Sequence, residues 1–217
     1  AACESVGANS LLARVGSYYH DIGKMKKPEY FTENQKYIID ERGEIIGKET
    51  KDIKPSLYAS VLKSHVKLGV ELAREHHLPR ILVDFIEQHH GTSLMKSLYD
   101  AALNQSTEDD FAERESFIYP GPKPKYKEPA IVMLADTVEA AIRSLENPTP
   151  HRIEEEVHRL VRSKVEDGQL DESSLTLRDI KKLEEAFTGV LTSMYHTRIA
   201  YPKDEELRRK EKQKGEG

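Results

Sequence analysis

Residues 128–145 read EPAIVMLADTVEAAIRSL, and the fold class turns on them. A helix here is apolar around most of its circumference, so other helices must enclose it; it cannot lie along a surface. The run Ala130 to Ala135 falls far short of the ~20 apolar residues needed to cross a bilayer, which leaves enclosure by protein. Asn147-Pro148 ends the helix. Asp136 sits in its middle. A buried, unpartnered carboxylate is costly, so such a group is paired, protonated or bound to a metal. Arg143, two turns on, is one partner the sequence offers; a coordinated cation is the other.

Outward from this segment the pattern stays helical. Downstream, Thr149-Pro150 opens a helix to about Val165, and Thr176 to about Ala200 is amphipathic until Tyr201-Pro202. Upstream, residues 106–129 hold four of the ten prolines, and Tyr119-Pro-Gly-Pro-Lys-Pro-Lys125 excludes helix and central strand. Helices are predicted over Asn9–Ile22 (capped by Asn9 or Ser10, stopped by Gly23), Pro55–His77, Leu78–His90 and Ser93–Asn104. Between them, two short β-branched runs flank Asp40-Glu41-Arg42-Gly43 and predict a small β-hairpin near residues 36–48. The expectation is one all-α domain over 1–202 with that hairpin inserted, then a charged tail over 203–217.

Composition agrees. The 217 residues are 37% hydrophobic and 33% charged, without tryptophan, which excludes both a disordered chain and a membrane-embedded one. Net charge is 33 − 38 = −5, so no global positive field recruits a nucleic-acid polymer. The lone Cys3 cannot form an internal disulfide, which suits a reducing, cytoplasmic setting. The opening AACESVGANSLL reads as the continuation of a pattern, so an excised domain is expected.

Nine histidines are an unusual count. His20-Asp21 ends a predicted helix and presents two metal-competent groups on neighbouring faces. Gly16 lies one turn earlier, where glycine costs roughly 1 kcal/mol relative to alanine and is tolerated if a backbone or ligand comes close. His89-His90 ends another helix; there, cationic histidine would also suit the helix dipole. His65 lies within the helix opened by Pro55. His76 shares its face but lies ~16 Å further along the axis, too far for one compact site. His76 and His77 belong to a solvated helix end, and His151, His158 and His196 read as structural or surface.

The ordered set His20-Asp21, His65, His89-His90 and Asp136 resembles the HD-domain metal-dependent phosphohydrolase superfamily. The strings HDIGK (20–24), SHVK (64–67), DFIEQHHGT (84–92), YPGPKP (119–124) and MLADTVEA (133–140) are similar to the cytoplasmic HD domain of seven-transmembrane, PgpH-type phosphodiesterases that hydrolyse cyclic di-AMP. The resemblance implies two divalent transition-metal ions, Fe or Mn first. Asp21 would bridge them, His20 and Asp136 holding one and His65, His89 and His90 the other. It further implies Asp21 and Lys24 as catalytic groups, Lys24 and Arg143 as substrate contacts, 5′-pApA as product and a tether to a membrane-spanning region. Two departures stand out. The family's first histidine has no counterpart before His20 and is expected upstream of Ala1, and residues 37–54 are longer than the family leads one to expect. No GYP signature follows His89-His90, which argues against the cyclic di-GMP branch. A related hydrolase of another nucleotide, and a silent nucleotide-binding sensor, remain the alternatives.

Overall fold

A computed structural model describes residues 1–31, 37–39, 45–48, 53–106 and 112–196. The described chain builds eight α-helices: α1 (Ala2–Ser5), α2 (Ser10–Tyr19), α3 (Pro55–Glu75), α4 (Arg80–Gln88), α5 (Lys96–Gln105), α6 (Lys127–Arg143), α7 (Pro150–Glu166) and α8 (Leu177–His196). Their ends follow local chemistry. The Asn9 side chain caps α2 by accepting from the Leu12 N–H, and Thr149 caps α7 by accepting from the Arg152 N–H. Before α8, Thr176 and Asp179 cap each other: Thr176 N–H donates to the carboxylate and Asp179 N–H to the hydroxyl.

Helix α6 is the axis of the main core. Ala130, Met133, Leu134 and Ile142 are wholly buried, and residues of α1, α2, α4, α7 and α8 close around them. The enclosure predicted for residues 128–145 is met along residues 129–134 and at Val138 and Ile142, while Ala140, Arg143 and Ser144 are exposed. A second cluster joins α3 to α4 through Val70, Ala73, Val83 and Ile86. A third packs Ala59, Ala102 and Phe117 between α3, α5 and the proline-rich connection.

The fold is all-α. The hairpin expected near residues 36–48 is not established as an insertion: residues 36 and 40–44, including its turn, lie outside the described residues. Only backbone pairing of Tyr37–Ile39 with Ile45–Lys48 is seen there. Residues 197–217, with the predicted tail, are also outside.

Helix α2 ends sooner than expected, at Tyr19, and residues 22–26 tighten into a 3₁₀ turn. Gly23 does not act as a helix stop. A Cβ there would lie 1.8 Å from the His65 carbonyl oxygen and 2.6 Å from the Gly69 nitrogen, so glycine lets this turn press directly onto α3. Gly16 has an equally specific role. Its missing Cβ leaves room for the Phe85 ring, whose Cδ1 would be 2.4 Å away, and so brings α2 against α4. No helix among the described residues is long and apolar enough to cross a membrane.

Candidate metal centre

The two close approaches at Gly16 and Gly23 bring the end of α2 to the middle of α3 and the end of α4, with α6 alongside. All six residues singled out as ligands meet there. Ligand atoms of Asp21, His65, His89 and His90 lie within 4.8 Å of one another, and so do those of His20, Asp21 and Asp136. Asp21 is common to both groups. Its Oδ1 is 3.3 Å from His65 Nε2 and 3.6 Å from His89 Nε2, while its Oδ2 is 3.3 Å from His20 Nε2. Asp136 Oδ1 stands 3.8 Å from His20 Nε2 on the far side.

Ring orientation comes from the helices themselves. Nδ1–H of His20 donates to the Ser17 carbonyl, that of His65 to Leu62, and that of His89 to Ile86, always three residues back. A carbonyl only accepts, so each of these nitrogens carries a proton and each Nε2 turns inward. Such a bond to the remote ring nitrogen is the arrangement found behind metal-bound histidines.

The donors fit a cation for a second reason. His65 Nε2 and His89 Nε2 face each other at 3.2 Å, though two imidazole lone pairs have no attraction for one another. Among the described residues, two buried side-chain atoms lack a hydrogen-bond partner, His20 Nε2 and Asp21 Oδ1. Asp21 belongs to both ligand groups and His20 to one. Buried polar atoms are normally satisfied, so an orphan carboxylate oxygen at the focus of a His/Asp cluster marks where positive charge is wanted.

The charges follow. Burial opposes a proton on His20, but the Asp136 and Asp21 carboxylates outweigh it and raise its pKa to about 10. Burial likewise opposes ionisation of Asp21, yet the neighbouring His20 holds its carboxyl far below the usual range. His65 is pushed down to about 4, chiefly by burial, and His90 moves the same way for the same reason. Lys24 Nζ sits 2.7 Å from Asp21 Oδ2 and 5.1 Å from the centre of the Phe31 ring. The cluster thus keeps one protonated imidazole and one ammonium against its carboxylates.

Arg143 lies elsewhere. It pairs with Glu139 at 3.6 Å, is largely exposed, and stands two helical turns beyond Asp136. His76 and His77 are exposed at the end of α3. His151 pairs with Glu155, and His158 with Glu184. The side chain of His196 falls outside the described residues. Two groups near the centre escaped the sequence reading: Tyr119, stacked on His90, and Lys164, whose Nζ donates to Ser93 Oγ at 2.6 Å. The YPGPKP string was a signal for the first; nothing in the sequence pointed to the second.

Comparison with known proteins is consistent with this geometry. The HD domain family matches residues 1–141. Over 202 residues the chain is 45% identical to the cyclic-di-AMP phosphodiesterase PgpH of Bacillus subtilis (strain 168), and over 206 residues 39% identical to the protein of that name from Listeria monocytogenes serotype 1/2a. Those alignments take in 93% and 95% of this chain but 27% of each relative, so the chain spans about a quarter of their length. A crystal structure of the L. monocytogenes PgpH HD domain aligns with a TM-score of 0.78 at 36% identity, covering 90% of this chain and 86% of that one. The same domain solved in complex with cyclic-di-AMP aligns at 0.79, covering 89% and 86%. The chain belongs to the HD domain family.

Proposed function

We propose that the chain is a phosphodiesterase domain that hydrolyses cyclic di-AMP to linear 5′-pApA at a dinuclear metal centre. The observation that carries this reading is the shared carboxylate of Asp21, one oxygen turned to His65 and His89 and the other to His20. His20 and Asp136 would hold one ion with Asp21, and His65, His89 and His90 the other. A mixed imidazole and carboxylate set suits Fe or Mn. When bound, such ions supply a water of lowered pKa and positive charge for the phosphate oxygens.

The protein's own part is preparation. The backbone bonds to His20, His65 and His89 fix three donors before any ion arrives. Burial of His65 and His89, 2% and 1% exposed, keeps bulk water from their side of the centre. Lys24, already held over the carboxylate, is placed to neutralise a phosphate oxygen once the carboxylate has another cation. The choice of substrate rests on the likeness to relatives that carry the cyclic-di-AMP name and to a solved domain that binds that nucleotide. The domain's place in a longer, membrane-tethered protein with this part in the cytoplasm belongs to the same proposal.

Protein loaded with iron or manganese should convert cyclic di-AMP to 5′-pApA, resolved by chromatography, in preference to cyclic di-GMP. Asp21→Ala should lose both metal and turnover. A loaded wild type that spares cyclic di-AMP, or an Asp21→Ala variant that still cleaves it, defeats the proposal.

A further inference from the structure

Three of the four site histidines are aimed by a backbone carbonyl, and the fourth is not. Among the described residues no hydrogen bond reaches the ring of His90. Ring contacts hold it instead: His89 is 4.0 Å away but tilted by 45°, and the one near-parallel face is that of Tyr119, 4.1 Å away, centroid to centroid, at 22° between planes. Tyr119 also meets His65 edge-on at 6.4 Å. The tyrosine is 9% exposed, in the middle of a proline-rich connection.

Its placement is secured from both sides. The segment 117–119 runs antiparallel to 93–95, with Met95 N–H donating to the Phe117 carbonyl at 2.9 Å and Tyr119 N–H to the Ser93 carbonyl at 3.1 Å. Ser93 in turn donates its N–H to the carbonyl of His90 at 3.1 Å. The connection is therefore registered against the loop that directly follows the His-His pair. Phe117, 1% exposed, pins it into the cluster formed with α3 and α5.

We infer that Tyr119 is the positioning residue for His90, its ring face doing for this ligand what a main-chain carbonyl does for the other three. The inference rests on the dinuclear reading above. An unanchored histidine spreads over several ring orientations, and stacking on a fixed aromatic face selects one of them. Loss of an outer-shell partner typically lowers metal affinity by about 10- to 100-fold. The affected ion is the one bound with His65 and His89, not the one beside Asp136.

The test compares Tyr119→Phe and Tyr119→Leu with wild type, titrating cobalt(II) and reading both stoichiometry and visible absorption. Tyr119→Phe keeps the face and should match wild type within about twofold. Tyr119→Leu should weaken one of two cobalt sites by at least about tenfold and change its absorption band, leaving the other intact. A Tyr119→Leu protein with wild-type affinity and spectrum overturns the inference. So does a Tyr119→Phe protein as impaired as Tyr119→Leu, because the hydroxyl would then be the active part. Should Tyr119→Leu fail to fold, proton NMR of the metal-free wild type decides: the His90 ring protons should be shifted upfield by the tyrosine ring current, and ordinary shifts overturn the stacking. Wild-type protein that takes up no cobalt at all brings down the metal-site reading and this inference together. Normal wild-type loading with an unaffected Tyr119→Leu brings down this inference alone.

Discussion

At the scale of single residues, five of the six candidate ligands stand out in the sequence, as dipeptides at helix ends or as a carboxylate within an apolar helix, whereas His65, a lone helical histidine, enters only through the family resemblance. Asp136 is an anomaly that the apolar pattern of its helix exposes, whereas the His20-Asp21 and His89-His90 pairs gain their weight from the order in which they resemble the HD family. Lys24 was legible only in part. The family resemblance implied a cation that contacts substrate, and in the structure the 3₁₀ turn over residues 22–26 sets it against Asp21. Arg143, seven residues from Asp136, is on the same face but roughly 10 Å further along the axis, where it pairs with the nearer Glu139. Lys24→Ala should therefore cut turnover by roughly 10²-fold while leaving metal content unchanged, as loss of one charge-stabilising donor does. Parallel elemental analysis and product assays check this, and a fully active variant would leave Lys24 a purely structural partner of Asp21.

At the scale of elements, the site is made by contacts between helices that share no sequence signal. Predicted helix ends came within a few residues of α3, α4, α6 and α7, because prolines and capping side chains mark them. What the sequence did not reveal is which element touches which. Gly16 was open to either a ligand or a neighbouring backbone, and the structure has the Phe85 side chain there instead. Tyr119 escaped notice because its role depends on a register between two irregular segments, 93–95 and 117–119, and irregular segments carry no period. Gly23 makes the sharpest demand: a single methyl there meets the His65 main chain, which cannot swing aside. Gly23→Ala should lower stability by roughly 1–3 kcal/mol, and its loss of metal affinity should exceed that of an equally destabilising change in the core around Val161. Thermal unfolding alongside metal titration separates the two effects, and equal losses in both variants would mean that the turn does not position Asp21.

At the scale of the whole molecule, the metal-free protein carries a pH signature. His20 has its pKa raised to about 10 in the folded state, so it adds stability that is complete below its ordinary value of 6.5 and fades as pH climbs towards 10. His65 is lowered to about 4, so the unfolded chain takes up its proton first, and stability falls as pH drops from 6.5 towards 4. Together they give the site's contribution a maximum near neutrality, declining on both sides. Chemical denaturation across this range should show that dome in chelated protein, and His20→Gln should flatten its alkaline limb. An unchanged alkaline limb would mean that His20 is not the proton carrier.

The unequal depth of the cluster has a kinetic corollary. His65 and His89 are almost wholly shielded, whereas the side chains of Asp21 and Asp136 remain 27% and 31% accessible. If the centre holds two ions as proposed, they should leave in sequence through such an asymmetric mouth: EDTA should strip the Asp136 half within a first, faster phase, and a slower second phase should empty the half walled in by imidazoles, so that partial dialysis yields protein holding one ion rather than a mixture of full and empty protein.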